Sequence, residues 1–338
     1  MRAIGYQKPL PITESAALVD IDIPKPKPQG RDLLVEIKAI SVNPVDTKVR
    51  QKISPKAGEE WKILGWDAAG IVVETGSNAE LFKVGDEVFY AGAFGRSGSN
   101  AEFQLMDEQL VGQKPKSLNW AEAAALPLTA LTAWEVLFDR LHIHEPVAGI
   151  KPVILIIGGG GGVGSIAIQL ARQLSDATII ATASRPESRE WVSEMGAHYV
   201  IDHKQPLPAQ IKALHQGDPS FVFSTTHTEQ HFAEAAELMA PQGRFALIDE
   251  PSNVDITLFQ AKSLSLHYEF MFTRSMFGTA DLLEQHHILN KLSRLVDEGR
   301  IRTTLTKNCG VINATHLKQA HQFIEDGHAK GKIVLEGF

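Results

Sequence analysis

The segment from Val153 to Arg172, VILIIGGGGGVGSIAIQLAR, carries glycine at six of the seven positions from Gly158 to Gly164. A β-branched apolar run ends directly on this loop and an amphipathic pattern starts directly after it, which predicts strand, tight turn, helix. Pro152 to Ala171 is also a 20-residue stretch without a charge, a length that could cross a bilayer. The glycines exclude one stable helix through it. Gly159, Gly161 and Gly164 stand in GxGxxG spacing. The first permits the turn, the second lets a pyrophosphate approach the backbone, and the third lets helix and strand pack closely. The free amides of the first helical turn, around Gly162 and Val163, would then face phosphate. A glycine-rich turn without a ligand is the competing reading.

The context favours the cradle. After the loop the chain alternates: strand Ile179 to Thr182, helix Glu187 to Met195, strand Tyr199 to Ile201, strand Phe221 to Ser224, helix Glu229 to Met239, strand Phe245 to Ile248. This rhythm predicts βαβ units and a parallel sheet. From about Leu264 the rhythm is lost, until a helix from Asp281 to Glu298 and a short strand from Lys332 to Leu335. The first third reads as β-rich, with strands at Leu33 to Ile40, Ala69 to Glu74, Glu87 to Tyr90 and Ala101 to Leu105. Asn119 and Glu122 form a capping box that opens an alanine-rich helix, and Pro127 divides it from a second helix ending near Leu141. The fold class expected is α/β: a doubly wound Rossmann sheet inserted in a β-rich domain, with segments 1–124, 125–266 and 267–338. A length of 338 residues suits two such domains.

At the end of the second strand of the sheet, where an NAD site carries an acidic residue, stands ATASRPESR. Ser184 and Arg185 take that place and Arg189 follows one turn later, a set suited to the 2′-phosphate of NADPH. The same residues read as a helix start, with Ser184 as cap and Glu187 closing a capping box. Both readings can hold together. The loops after Ser224 and Ile248 lie at carboxyl ends of strands, where open α/β sheets bind ligands.

Charge limits the partners. Lysine and arginine number 33 against 40 acidic residues, for a net charge of −7, with no basic stripe. This argues against a nucleic-acid surface. The N-terminal MRAIGYQ shows neither signal nor transit pattern, and no membrane partner is expected. The single cysteine, Cys309, can close no internal disulfide, which fits a cytoplasmic location.

A glycine loop in mid-chain behind a β-rich third resembles the medium-chain dehydrogenase/reductase superfamily, over nearly the whole chain. ISVNPVDTKVRQ, ILGWDAAGIVVETGS, KVGDEVFYAG, AAALPLTALTAWEVL and the terminal GKIVL resemble its quinone oxidoreductase branch, and more narrowly the zinc-type alcohol dehydrogenase-like proteins. The resemblance implies a GroES-like domain closing on the Rossmann domain, with nicotinamide and substrate in the cleft, and a homodimer. It places Thr132 near the nicotinamide and Asn43, Asp46, Lys48, Trp66 and Asp67 at substrate-side positions. Of these, Asn43, Asp46, Lys48 and Asp67 are the catalytic candidates. Lys48 stands where quinone oxidoreductases often have a tyrosine, and could donate a proton if burial lowered its pKa. A surface lysine is the plainer reading. The run HYEFMFTRSMF, residues 267 to 277, could wall the cleft through Phe270, Met271 and Phe272, or serve as core and subunit interface. Phe272 and Lys332 complete the cofactor-side candidates.

Zinc-dependent members of the superfamily hold their metal with a Cys after the second strand and a His following a glycine. Here Asn43 to Asp46 and Gly65-Trp66 stand in those places, and FYAGAFGRSGSN replaces a four-cysteine lobe. The pairs His227 with His231, His142 with His144, and His286 with His287 read as core or surface residues. The resulting expectation is an NADPH-dependent, metal-independent reductase of a small carbonyl or quinone substrate. The alternatives are a zinc alcohol dehydrogenase with unusual ligands, and an NADPH-binding sensor or stress protein with little turnover.

Overall fold

The computed structural model describes residues 1–327 and 329–338. The chain divides into two compact units, Met1–Leu131 with Phe272–Phe338, and Thr132–Met271.

The second unit is built on six parallel strands in the spatial order Tyr199–Ile201, Thr178–Thr182, Val153–Ile157, Phe221–Ser224, Arg244–Leu247, Ser265–Tyr268. In order along the chain this is 3-2-1-4-5-6, the doubly wound Rossmann arrangement. Val153–Ile157 is buried at every residue because it lies mid-sheet with both faces covered. Leu155, Ile157, Val222, Phe232, Phe245 and Phe259 share one core cluster on it. The sixth strand corrects the expectation that the alternation ends near Leu264. Its sequence, SLHY, alternates only partly, and its place at the sheet edge leaves it half-buried, so the apolar signal is weak.

The first unit holds a seven-stranded sheet and a three-stranded one. Asp32–Val42 is central to the larger sheet, pairing antiparallel with Asp67–Thr75, Phe103–Asp107 and the C-terminal Lys332–Glu336. The last pairing brings Val42 opposite Ile333, so the chain's final strand lies against the segment that leads into Asn43.

Asn119 caps the short helix Trp120–Ala124, with both halves of the capping box formed, and Pro127 opens the helix Pro127–Trp134. A π-turn, Glu135–Arg140, follows it. Among the described residues, Trp120–Arg140 is a segment long and apolar enough to cross a membrane, but 89% of its apolar window is buried inside the protein. It is core helix by packing.

Candidate functional site

In the second unit the glycine loop is fixed by the strands on either side. Gly158 N–H donates to the Thr182 hydroxyl at 3.0 Å and Gly159 N–H to the Thr182 carbonyl at 3.0 Å. On the other side Thr225 returns two hydrogen bonds to Ile157 O, from its amide at 3.1 Å and its hydroxyl at 2.8 Å. The helix Gly162–Leu174 starts from this clamp, with Gly161 as its cap and no side chain filling the cap position. Gly162, Val163 and Gly164 thus supply unsatisfied first-turn amides. A Cβ on Gly164 would lie 2.3 Å from Gly158 O, so only glycine permits the helix to begin this close to the strand. Added at Gly161, it would meet nothing nearer than 3.7 Å, so space is left open there for a ligand against the backbone. The loop is a cradle that a diphosphate fits.

Beside it, the helix Pro186–Glu194 is capped by Arg185, not by Ser184, and no side chain makes the cap bond. This corrects the capping-box reading: Pro186 occupies the first helical position, and Ser188 N–H returns to Arg185 O at 3.1 Å. Arg185 keeps 36% of its side chain exposed, with Glu187 at 3.5 Å. Arg189 is differently employed. Its guanidinium donates to Ala183 O at 3.1 Å and Val200 O at 2.9 Å, tying the ends of two neighbouring strands together. Ser224 is buried and shares a 2.7 Å hydrogen bond with the Thr228 hydroxyl. Asp249, directly after Ile248, accepts from Thr228 N–H at 2.9 Å and from the Thr228 hydroxyl, holding the start of the helix Thr228–Leu238. Sequence reasoning passed over Asp249, because it stands 21 residues from Thr228 and meets that helix start only through the pairing of neighbouring strands. Thr132 is the unit's first residue and is buried.

In the first unit, four of the expected residues form one buried polar group. Asn43 caps the helix Pro44–Lys52, with Pro44 at its first position and Asp46 as the acidic half of the box. Asp46 accepts Asn43 N–H at 2.8 Å and Gly65 N–H at 3.1 Å. Burial pushes its carboxyl up to about 7, against the pull of those amides and of Lys332. Asp67 accepts Leu128 N–H at 2.7 Å through one oxygen, and the Asn43 amide at 2.8 Å and the Lys332 ammonium at 3.1 Å through the other. Lys332 also donates to Val42 O at 3.2 Å and to Asn43 Oδ1. Its amine therefore sits inside this network, beside the substrate-side residues. Lys48, on the exposed face of the same helix, lacks the burial that a proton donor near neutral pH would need.

Next to this group lies an aromatic triangle. Trp66 and Phe94 are stacked at 5.8 Å with 22° between planes, Trp66 and Phe272 lie at 5.7 Å, and Phe94 and Phe272 at 5.6 Å. Trp66 and Phe272 keep 5% and 2% of their surface, whereas Phe94 is half-buried. Gly65 stands at φ +100° where a Cβ would strike the Ser99 and Asn100 side chains at 2.5 Å, so the segment leading into Asp67–Thr75 can press against that loop only with glycine here. The loop is bound back by Ser99 N–H to Gly65 O at 2.9 Å, Asn100 N–H to Leu64 O at 2.9 Å and Ser99 Oγ to Asp67 O at 3.1 Å.

Residues 29–116 match the family described as the alcohol dehydrogenase GroES-like domain, and residues 162–285 the family described as zinc-binding dehydrogenase. A zinc-type alcohol dehydrogenase-like protein of Staphylococcus aureus (strain Mu50 / ATCC 700699) is 38% identical over 99% of this chain and 99% of its own. The chloroplast envelope quinone oxidoreductase homolog of Arabidopsis thaliana is 30% identical over 95% of this chain and 94% of its own. The crystal structure of a protein from Rhizobium etli CFN 42, named for zinc-dependent alcohol dehydrogenase, superposes with a TM-score of 0.98 at 62% identity, covering 100% of this chain and 98% of that one.

Several of these names imply zinc, and the donor set here does not fit it. Where thiolate and imidazole would stand are the Asn43 amide, already bonded to Asp67 and Lys332, and the Trp66 indole. The oxygens of Asp46 and Asp67 each accept from an amide or the ammonium, and a dication among them would face the buried Lys332 charge. Among the described residues no cluster of three or more His, Cys, Asp or Glu side chains is arranged to hold a metal.

Proposed function

Because this chain belongs to the medium-chain dehydrogenase/reductase superfamily and is an oxidoreductase by that membership, we propose that it is an NADPH-dependent, metal-independent reductase of quinones, enones or reactive aldehydes. The observation that carries this reading is the Lys332 ammonium buried 3.1 Å from Asp67 and bonded to Asn43, one of the residues that the family resemblance sets in the place of a zinc ligand. Without a Lewis acid, a simple ketone or alcohol is a poor partner for hydride. A conjugated acceptor spreads its own developing negative charge and needs less help.

The bound nicotinamide supplies the hydride, and the chain supplies place and orientation. The amides of Gly162 to Gly164 would hold the diphosphate, and Arg185 would pair with the 2′-phosphate. Support for NADPH over NADH comes from Arg185, partly exposed with a carboxylate neighbour at 3.5 Å, where an NAD site carries an acid. The proton that completes the reduction comes from water, since Lys48 is exposed and Asp46 is enclosed by its amide partners. In solution the chain is a homodimer on this reading. Among the described residues the edge strand Ser265–Tyr268 pairs on one side only, with Arg244–Leu247, and Tyr268 is 58% exposed, so a second copy's edge can join it.

The test is NADPH oxidation by 9,10-phenanthrenequinone and by an alkenal, with and without a chelator, together with elemental analysis of the purified protein. Turnover unaffected by chelator, without stoichiometric zinc, supports the reading. Strict zinc dependence would transfer the chain to the zinc alcohol dehydrogenases, and tight NADPH binding without turnover of any acceptor would make it a binding protein.

A further inference from the structure

We infer that His203, His227 and His231 form a proton-linked anion site beside the glycine cradle, which gains a proton when a dinucleotide's diphosphate arrives, so that cofactor affinity rises as pH falls through neutrality. This rests on the dinucleotide-binding reading and adds regulation to it. The three residues gather at the carboxyl edge of the parallel sheet, where open α/β sheets bind ligands. His203 stands two residues past the strand Tyr199–Ile201, His227 three past Phe221–Ser224, and His231 near the start of the helix Thr228–Leu238. The His203 and His231 rings meet edge to face, with centroids 6.3 Å apart. His231 keeps 8% of its surface, and its Nδ1 makes no hydrogen bond among the described residues, with the Glu234 carboxylate 3.8 Å away. A histidine that served the core alone would have that nitrogen bonded.

The cluster is joined to the cradle through the loop after Ser224. A Cβ on Gly158 would lie 2.3 Å from Thr225 Oγ1 and 2.9 Å from the Thr226 methyl group, so this loop presses on the first glycine turn. His227 follows directly, exposed at φ +52°, with its Nδ1 2.8 Å from the Thr226 hydroxyl. The surrounding charges set the direction of the linkage. Burial, with the neighbouring imidazoles adding to it, holds His203 below the usual histidine range against the pull of Asp202, and Lys204 adds to the push. Burial does the same to His231 against Glu234, and His227 adds to it. At neutral pH the His203 and His231 pair is therefore uncharged in the empty protein. A diphosphate on the neighbouring amides brings negative charge that favours the imidazolium. A site that gains a proton on binding binds more tightly as pH falls, until the empty protein is itself protonated.

The experiment titrates wild type, His203→Gln and His227→Asn with NADPH by isothermal calorimetry at pH 8.0, 7.0 and 6.0, in two buffers of different ionisation enthalpy. Each variant removes one titrating ring, and asparagine tolerates the left-handed backbone at position 227. Titration of the cofactor's own 2′-phosphate is common to all three proteins and cancels when they are compared. The expected ratio of variant to wild-type Kd is near one at pH 8.0 and about three- to tenfold at pH 6.0. Net proton uptake on binding should be lower in both variants than in wild type at pH 7.0. A Kd ratio that stays constant from pH 8.0 to 6.0, or proton uptake that neither variant reduces, overturns the histidine site and leaves the cofactor reading intact. Wild-type protein that binds no NADPH at any of these pH values removes the reading beneath it, and the inference falls with it.

Discussion

The Lys332 ammonium meets the Asp67 carboxylate at 3.1 Å, across 265 residues of sequence, where the two side chains keep 3% and 0% of their surface. The contact follows from the sheet: Lys332 begins the last strand, and that strand pairs with Asp32–Val42, immediately upstream of Asn43. Removing one partner of such a pair strands a charge away from water, which costs about 3–5 kcal/mol. Asp67→Ala is expected to lose about that much in urea denaturation, because Leu128 N–H and the Asn43 amide lose their acceptor as well. Lys332→Met should cost less, since Asp67 retains both of those donors. In a double-mutant cycle, Asp67→Leu with Lys332→Met should cost clearly less than the sum of its parts. Strict additivity would show that the two charges do not interact.

The two arginines after the second strand of the parallel sheet should separate cleanly. Arg185 caps a helix without using its side chain, and its guanidinium has an acid only at 3.5 Å. Arg185→Ala is therefore expected to weaken NADPH binding about tenfold, with NADH affinity changed less than twofold and thermal stability preserved. Arg189 spends its guanidinium on Ala183 O and Val200 O. Arg189→Ala should lower Tm and weaken both cofactors alike. Isothermal titration with the two cofactors checks this, and a NADPH-selective loss in Arg189→Ala alone would exchange the two roles.

What could be read in advance followed the strength of local signals. The strand-glycine-helix passage and the alternation after it are carried by periodicity and by glycine, both local, and the parallel sheet appears where they placed it. The sixth strand, Ser265–Tyr268, was missed because an edge strand is only half-buried and its apolar pattern is diluted. The helices Pro44–Lys52 and Ala314–Glu325 went unread although Asn43 and Asn313 both stand at their caps. Asn43, Asp46 and Asp67 were picked out as site residues through family resemblance, but their union with Lys332 could not be read. That union depends on pairing between strands almost 300 residues apart, and neither pattern nor spacing encodes it. Trp66 had been noticed for the histidine it replaces, whereas its stacking on Phe94 and Phe272 is a tertiary fact.

Within the glycine loop, space distinguishes two substitutions that look alike in sequence. Gly164→Ala places a methyl group 2.3 Å from Gly158 O, a backbone atom that cannot step aside. It should destabilise the protein by about 1–3 kcal/mol and abolish cofactor binding. Gly161 has φ −77° and no atom within 3.7 Å of a new Cβ, so Gly161→Ala should leave Tm within a degree or two. Its methyl group occupies the face offered to the diphosphate, and cofactor affinity should still fall at least tenfold. Melting curves with and without NADPH read both effects. A stable Gly161→Ala variant with full affinity would show that the diphosphate lies elsewhere.

The last expectation concerns acid. His321 is fully buried beside Arg50, whose Nε donates to its Nδ1 at 3.4 Å, and its Nε2 meets no partner among the described residues. Arg50, itself wholly buried, also bonds to Leu10 O and the Glu325 carboxylate. Burial, with the neighbouring guanidinium adding to it, pulls the His321 pKa down to about 3. In the unfolded chain the imidazole takes up its proton near 6.5. Between those values the unfolded state binds a proton that the folded state refuses, so this contribution is complete above about pH 6.5 and is lost as pH falls toward 3. Asp46 acts with the opposite sign, because its raised carboxyl makes the folded state the better proton binder between about 4 and 7. The informative quantity is the difference between wild type and a variant, in which contributions common to both cancel. His321→Gln retains an acceptor for Arg50 and carries no titrating ring. Its Tm is expected below that of wild type at pH 7.5, with the gap closing as pH falls to 5, since only wild type loses this term. A gap of constant width from pH 7.5 to 5 would mean that His321 takes up its proton as readily in the folded protein as in the unfolded chain.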